Sequence, residues 1–408
     1  MKSNLTSLIL ASSLLSISAA DWTQWRGPNR DGHSTETGLL KSWPKDGPPL
    51  KWKITGMGGG YASPAVAAGR IFGAGYRGDQ EVVWALNESE GKELWSTTLG
   101  PANREIDYCE GPNAMPAVDG DRVYILGAVG NLVCLETKSG KVLWKRDLAG
   151  DFGGKLMTEY GYAESPLIDG DRLICMPGGD KGTVAALNKA TGELIWQSAE
   201  LKDPAAYTSL IAAELGGQRQ YVVLTGDSIA GVAASNGKLL WQTERRGRTG
   251  VVATPIIDGN RVWVSSGYGI GSHMYEVTAS GGSFKVEEVY ASRSLKNEHG
   301  GAIQVGKHVY AANGPTFVCM ELATGDVAWK ERSVGNGSLA FADGHLYLRS
   351  ERGPIALIKA SPEEIIEVSR FNQPDRTRKK SWAHPVIANG NLLIRDQDLL
   401  LCYDVRAK

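Results

Sequence analysis

Two of the chain's six histidines, His299 and His384, each stand just ahead of a short apolar run, and so does the carboxylate Glu164. Two imidazoles and a carboxylate can form a first shell for a transition metal that keeps an open position, as in hydrolytic and lyase sites. Glu110 and Glu164 are the carboxylates placed to act as a general base. Tyr160, Tyr207, Arg248, Asn297, Asn336 and Trp382 occupy the same position as the histidines, a few residues before an apolar run. If those runs gather around one axis, the side chains before them form a polar ring at its mouth, where a ligand would bind. The alternative for each residue is a solvated side chain or a hydrogen bond to loop backbone.

Other catalytic signatures are missing. The sequence has no Gly-x-Ser-x-Gly elbow, no phosphate-binding loop and no His-Glu-x-x-His. The Gly56–Gly60 run precedes an apolar strand pattern and not a helix, which argues against a nucleotide site. Lys and Arg number 44 and Asp and Glu 45, so the net charge is −1 and the balance speaks against a nucleic-acid partner. The basic run Arg376–Lys380 reads as a solvated loop in such a background, whereas Arg245, Arg246 and Arg248 are placed to favour an acidic ligand at the channel mouth. The five cysteines lack metal-ligand spacing. Cys134, Cys319 and Cys402 fall in one slot of an apolar strand and read as small core residues, leaving Cys109 as the candidate reactive thiol.

The elements that must carry the ring are repeated. Pro-x-x-Asp-Gly-x-Arg occurs at Pro116–Arg122, Pro166–Arg172 and Pro255–Arg261, each followed by alternating apolar residues. This reads as strand, tight turn, strand, with Asp-Gly supplying the positive φ of a short hairpin. A second phrase, an apolar strand and polar turn ending in Gly-x-x-x-Trp, ends at Trp95, Trp144, Trp196, Trp241 and Trp329. Together they give four strands in roughly 40 to 50 residues, the period of a propeller blade. Eight units are expected, starting at about 63, 114, 164, 209, 253, 300, 338 and 383, with Val286 and Val368 in the Trp slot of two degenerate units. The last unit stops one strand short at Lys408, and Pro49–Trp52 near the other end matches the missing strand. A closing strand over about residues 49–56 is therefore expected to remove the open edge between first and last blades.

The Ala-x-Asn/Asp-x-x-Thr/Ser-Gly-x-x-x-Trp phrase resembles the tryptophan-docking repeat of pyrroloquinoline-quinone-like (PQQ-like) β-propellers. The resemblance covers about Pro49 to Lys408. It implies an all-β fold: an eight-bladed β-propeller of four-stranded antiparallel blades closed by an N-terminal strand. That family includes quinoprotein alcohol dehydrogenases, the lipoprotein scaffold of outer-membrane protein assembly and uncharacterised secreted bacterial proteins. The segment Trp22–Gly32 most resembles the last group and reads as part of a lead-in over residues 21–48 that packs on one face. For a quinoprotein dehydrogenase, PQQ and calcium would be the cofactors. Glu164, Asn297 and Asn336 would then offer oxygens to the metal, Glu110 would be the base, Arg248 would pair with the cofactor carboxylates and Trp382 would stack on its rings. The adjacent cysteines of the methanol-type enzymes are missing.

Residues 1–20 read as a signal peptide, with Lys2 at the start, an apolar stretch over Leu8–Ile17 and small residues before a cut after Ala20. Asp21 follows the cut where a lipobox would have Cys, and no apolar stretch is long enough for a membrane span. The favoured reading is a secreted or periplasmic, non-catalytic module that binds a protein, glycan or small molecule at the ring. A quinoprotein alcohol or sugar dehydrogenase is the alternative, and a His/Glu metal enzyme using Glu164, His299 and His384 is the third.

Overall fold

Each Pro-x-x-Asp-Gly-x-Arg phrase forms a tight antiparallel hairpin, as where Ala117 pairs with Tyr124 and Asp119 with Arg122. Gly120 in that turn has φ 57°, a left-handed value that glycine adopts without strain. The computed structural model describes residues 20–102, 111–299 and 301–407. Its strands form eight four-stranded antiparallel sheets. Blades 1 to 7 take consecutive strands, within residues 65–101, 117–147, 167–197, 211–244, 256–292, 302–332 and 337–372. Blade 8 combines Val386–Ala388, Asn391–Asp396 and Leu399–Asp404 with the N-terminal strand Leu50–Ile54, so the ring is closed by its own beginning.

The repeat residues explain how the blades hold one another. The Trp95 indole lies over Gly140 of the next blade, where a Cβ would come within 2.4 Å of the ring. Its Nε1 donates to Thr137 O at 3.0 Å, and Trp144 makes the same bond to Lys189 O at 3.1 Å. Arginines that follow the turn of the first phrase staple the same seam: Arg70, in a looser copy starting at Pro64, donates to Thr137 O, Arg122 to Ala190 O and Arg172 to Ala234 O, whereas Arg261 turns to Glu276 of its own blade. Cys134, Cys319 and Cys402 are buried thiols that pair across the strand with Trp144, Trp329 and Trp52, so they do share one slot. Trp144→Ala should lower stability by about 3 kcal/mol, the usual cost of emptying an indole-sized site. A urea-unfolding midpoint identical to that of the parent would contradict this.

The two degenerate blades differ from the sequence expectation. In blade 5 Tyr290, not Val286, sits opposite the slot residue, Met274. It covers Gly325 and donates to Leu322 O at 2.8 Å, replacing the indole bond with a phenol. In blade 7 the slot falls to Ser369, not Val368, and Phe371 packs on Gly47 of the lead-in.

Candidate functional site

The central channel is entered from one end by the lead-in. Trp22 pairs with Val66 of blade 1, and Thr23 O accepts from Val118 N of blade 2. Trp25 reaches furthest: its Nε1 donates to Thr254 Oγ1 at 2.8 Å and its ring lies 4.6 Å from that of His384. Arg26 and Arg30, 3% and 2% exposed, donate to inner-strand carbonyls, Arg26 to Ala302 O and Arg30 to Ser165 O and Pro166 O. Gly32 and Ser34 then bond Phe341 of blade 7, and Leu40 bonds Val405 at the end of blade 8. The channel is thus plugged from the end where the Asp-Gly turns lie, and its loop-side mouth becomes the floor of a funnel.

A belt of hydrogen bonds sets that floor. Met115 N donates to Ser165 Oγ, Ser165 N to Ser209 Oγ and His384 N to Ser63 Oγ, each linking the entry of one inner strand to a neighbouring one. On the blade 6 to blade 1 side an aromatic shelf stands over the belt. Trp382 lies between Tyr61, with ring centroids 4.6 Å apart, and His299, at 5.1 Å. Asn336 Nδ2 donates to Glu298 Oε2 at 2.8 Å and lies 3.2 Å from His299 Nδ1. Glu351 receives Lys380 Nζ at 2.6 Å and the Trp382 N–H at 3.4 Å. Burial works against its charge, but Lys380, His299 and the Trp382 N–H outweigh that and hold its carboxyl below the usual range. His299, its side chain 21% exposed, is held neutral because burial outweighs the pull of Glu351. Across the funnel Tyr160 and Tyr207 form a second aromatic pair, centroids 6.1 Å apart, with the Tyr207 hydroxyl bonded to Thr158.

The structure separates the expected ring into two groups. Tyr160, His299, Asn336 and Trp382 are partly exposed at the funnel, and Arg248 is exposed on its loop. Tyr207 is buried beside Tyr160. Glu164, Asn297 and His384 are built into the wall. Glu164 is 0% exposed and accepts from Met176 N; burial pushes its carboxyl up to about 8, against the pull of that N–H and of Arg30. Asn297 spends its amide on Ala312 O and on Gly301 N, which shapes the loop. His384 is 6% exposed and held well below the ordinary imidazole range, first by burial and then by the Arg26 charge. Glu110 and Cys109 lie outside the described residues. Arg245 is turned away from the mouth, bonded to Ser266 Oγ and Gly271 O, and Arg246 pairs with Glu244 at 2.7 Å.

Tyr61, a few residues ahead of the Ala65–Ala67 strand, was among the positions that the strand order placed at the mouth. Glu298, Glu351 and Lys380 are the shelf residues that charge and spacing did not single out. Lys380 was hidden in a basic run, Glu351 follows an ordinary strand, and Glu298 could have been found only as the neighbour of His299.

Among the described residues no three His, Cys, Asp or Glu side chains gather as a metal-holding group. Glu164, His299 and His384 therefore do not form the shell their sequence positions suggested: Glu164 and His384 are sealed in the wall, His384 packed on Trp25, while His299 is partly exposed on the shelf. The calcium and quinone assignment does not fit either. A calcium ion needs six to eight oxygens, whereas Glu164 is 0% exposed and accepts from Met176 N, and Asn297 is committed to backbone. Trp382, the expected stacking surface, already carries Tyr61 and His299.

A family model described as outer membrane protein assembly factor BamB matches residues 78–331. The BamB protein of Salmonella typhimurium is 29% identical over 144 residues, 35% of this chain and 32% of its own length. Quinohemoprotein alcohol dehydrogenase ADH IIB of Pseudomonas putida is 27% identical over 121 residues, 28% of this chain and 17% of its own. The chain thus spans about a third of the first curated relative it matches. The solved structure of BamB from Moraxella catarrhalis superposes with a TM-score of 0.60 at 16% identity, covering 88% of this chain and 98% of that one, a likeness of fold.

Proposed function

The chain belongs to the PQQ-like propeller family described as outer membrane protein assembly factor BamB, and from that premise we propose an exported, non-catalytic module that binds a protein partner at the loop-side funnel. The observation that carries this reading is the shelf of Tyr61, His299 and Trp382 edged by the Glu351–Lys380 salt bridge. Partly exposed rings held rigidly by their neighbours are the anchors that protein interfaces favour, with charges at the rim setting orientation. The relatives named as assembly factors support a protein partner over a glycan or small molecule. Export rests on the leader expected over residues 1–20, of which 1–19 lie outside the described residues, with 21–48 as the lead-in. No helix among the described residues is long and apolar enough to cross a membrane.

The test is a random peptide library panned against the mature protein and counter-screened on Trp382→Ala. Peptides that bind the parent should lose about 2 kcal/mol or more on the variant, while the thermal midpoint stays unchanged. Binding that ignores Trp382 would place the partner elsewhere. A midpoint raised by pyrroloquinoline quinone plus calcium chloride would overturn the non-catalytic reading in favour of a dehydrogenase.

A further inference from the structure

The lead-in does not fill the turn-side end of the channel evenly. It runs in backbone contact with blades 1 and 2, crosses to blade 3 through Arg30, and returns over blades 6 and 7 through His33 and Ser34. Blade 5 is met by the Trp25 indole at Thr254, and beside that bond the wall opens into a cavity of about 370 Å³ that reaches Ile211 of blade 4. One side is apolar, made by Ile211, Pro255, Ile256 and Ile257; the other is the lead-in turn with Asn29, Arg30, Asp31 and His33. The three isoleucines are only partly buried, whereas Val66 and Ile387, on the inner strands of blades 1 and 8, are 0% exposed.

The polar side carries a buried positive charge. Arg30 gives its two amino groups to the carbonyls of Pro166 and Ser165, at 3.1 and 2.9 Å, and more weakly to Gln24 Oε1 at 3.4 Å, while its Nε has no hydrogen-bond partner. Among the described residues it forms no ion pair. Glu164 is the carboxyl that acts on it, and burial holds Glu164 up to about 8, protonated at neutral pH. Asp31 is occupied otherwise: Oδ1 accepts from His33 N, and its charge acts on Arg26. His33 gives Nε2 to Gln304 O at 2.8 Å. A buried guanidinium surrounded by neutral acceptors is stabilised by an anion, and a floor of half-exposed isoleucines is stabilised by hydrocarbon.

We propose that this cavity binds a small amphiphilic carboxylate, its head accepting from Arg30 and Asn29 and its alkyl part lying on Ile211, Ile256 and Ile257. The cavity shares no lining residue with the aromatic shelf and does not depend on how that shelf is used.

Sodium hexanoate, 1-hexanol and sodium acetate separate the two halves of the requirement. Calorimetric titration of the mature protein should show one saturable hexanoate site, with hexanol and acetate weaker by at least about tenfold, the value of one charged hydrogen bond. Ile257→Glu places a like charge on the floor and should abolish hexanoate binding. Arg30→Gln should bring hexanoate down to the level of hexanol. Equal binding of hexanol and hexanoate, no saturable hexanoate signal, or hexanoate binding retained by Ile257→Glu would each overturn the proposal. The ligand comparison on the parent decides it even if a variant does not fold.

Discussion

Arg395→Leu is expected to lower stability by about 3 to 5 kcal/mol, through the seam where the two ends of the chain meet. The side chain is 0% exposed. Its Nη1 donates to Ala62 O at 2.7 Å, Nη2 to Gly58 O at 3.0 Å and Nε to Gln397 O at 3.1 Å. The guanidinium also lies over the Trp84 ring of blade 1, and Trp84 donates to Met57 O at 3.0 Å. Asp398 holds the same loop by accepting from Gly56 N and Gly58 N. Blade 8, blade 1 and the segment that follows the closing strand are thus tied by one planar cation. Leucine fills part of the volume but strands three carbonyls in a dry interior, each costing about 1 to 3 kcal/mol, with partial relaxation reducing the sum. Lysine should recover little, because one ammonium cannot reproduce a fork aimed at three acceptors. Urea unfolding followed by Trp fluorescence measures both variants. A loss under about 1 kcal/mol for leucine would show that the closing strand alone holds the ring.

That seam also marks how far the sequence could be read. The blades were legible because both phrases are local: a turn glycine, an alternating run and a Trp at fixed spacing specify a hairpin wherever they occur. The slot in blades 5 and 7 was not, because neither blade carries a Trp to mark it, and the bulge that all the blades share at this point hides the register when the marker is missing. In blade 5 both strands of the outer hairpin are ten residues long, and a bulge between Met274 and Tyr275 brings Tyr290 opposite the slot, four residues beyond Val286. In blade 7 the glycine that Phe371 covers comes from the lead-in, more than 300 residues away in sequence. The ring behaved likewise. Its positions were readable from the strands they precede, but exposure was decided by what fills the channel. Trp25 and Arg30 reach the inner strands across separations of 229 and 135 residues, and no local pattern announces that His384 and Glu164 will be covered by them. The Gly56–Gly60 run, which suggested no chemistry, is the segment that folds around Arg395.

Glu164 gives the second large effect, and it reads out the state of the channel wall. Its carboxyl is pushed up to about 8 by burial, from an ordinary value of 4.5. Between those values the folded protein holds a proton that the unfolded chain has released. Stability must then fall as pH rises through that window, by up to about 1.4 kcal/mol per pH unit, and level off above it. Glu81, raised by burial to about 7, adds to the same slope in its lower part. His299 and His384, both lowered by burial, favour the folded state as pH rises, but only below the unfolded histidine value of 6.5. From pH 6.5 to 8.5 the carboxyls act without that opposition. Glu164→Gln keeps an acceptor for Met176 N and removes the ionisation, so the difference in unfolding free energy between variant and parent should widen by about 2 kcal/mol over this range in the variant's favour. Parallel curves would mean that Glu164 is ionised in the folded protein and pairs with Arg30. The cavity beside Arg30 would then have no uncompensated charge to offer an anion.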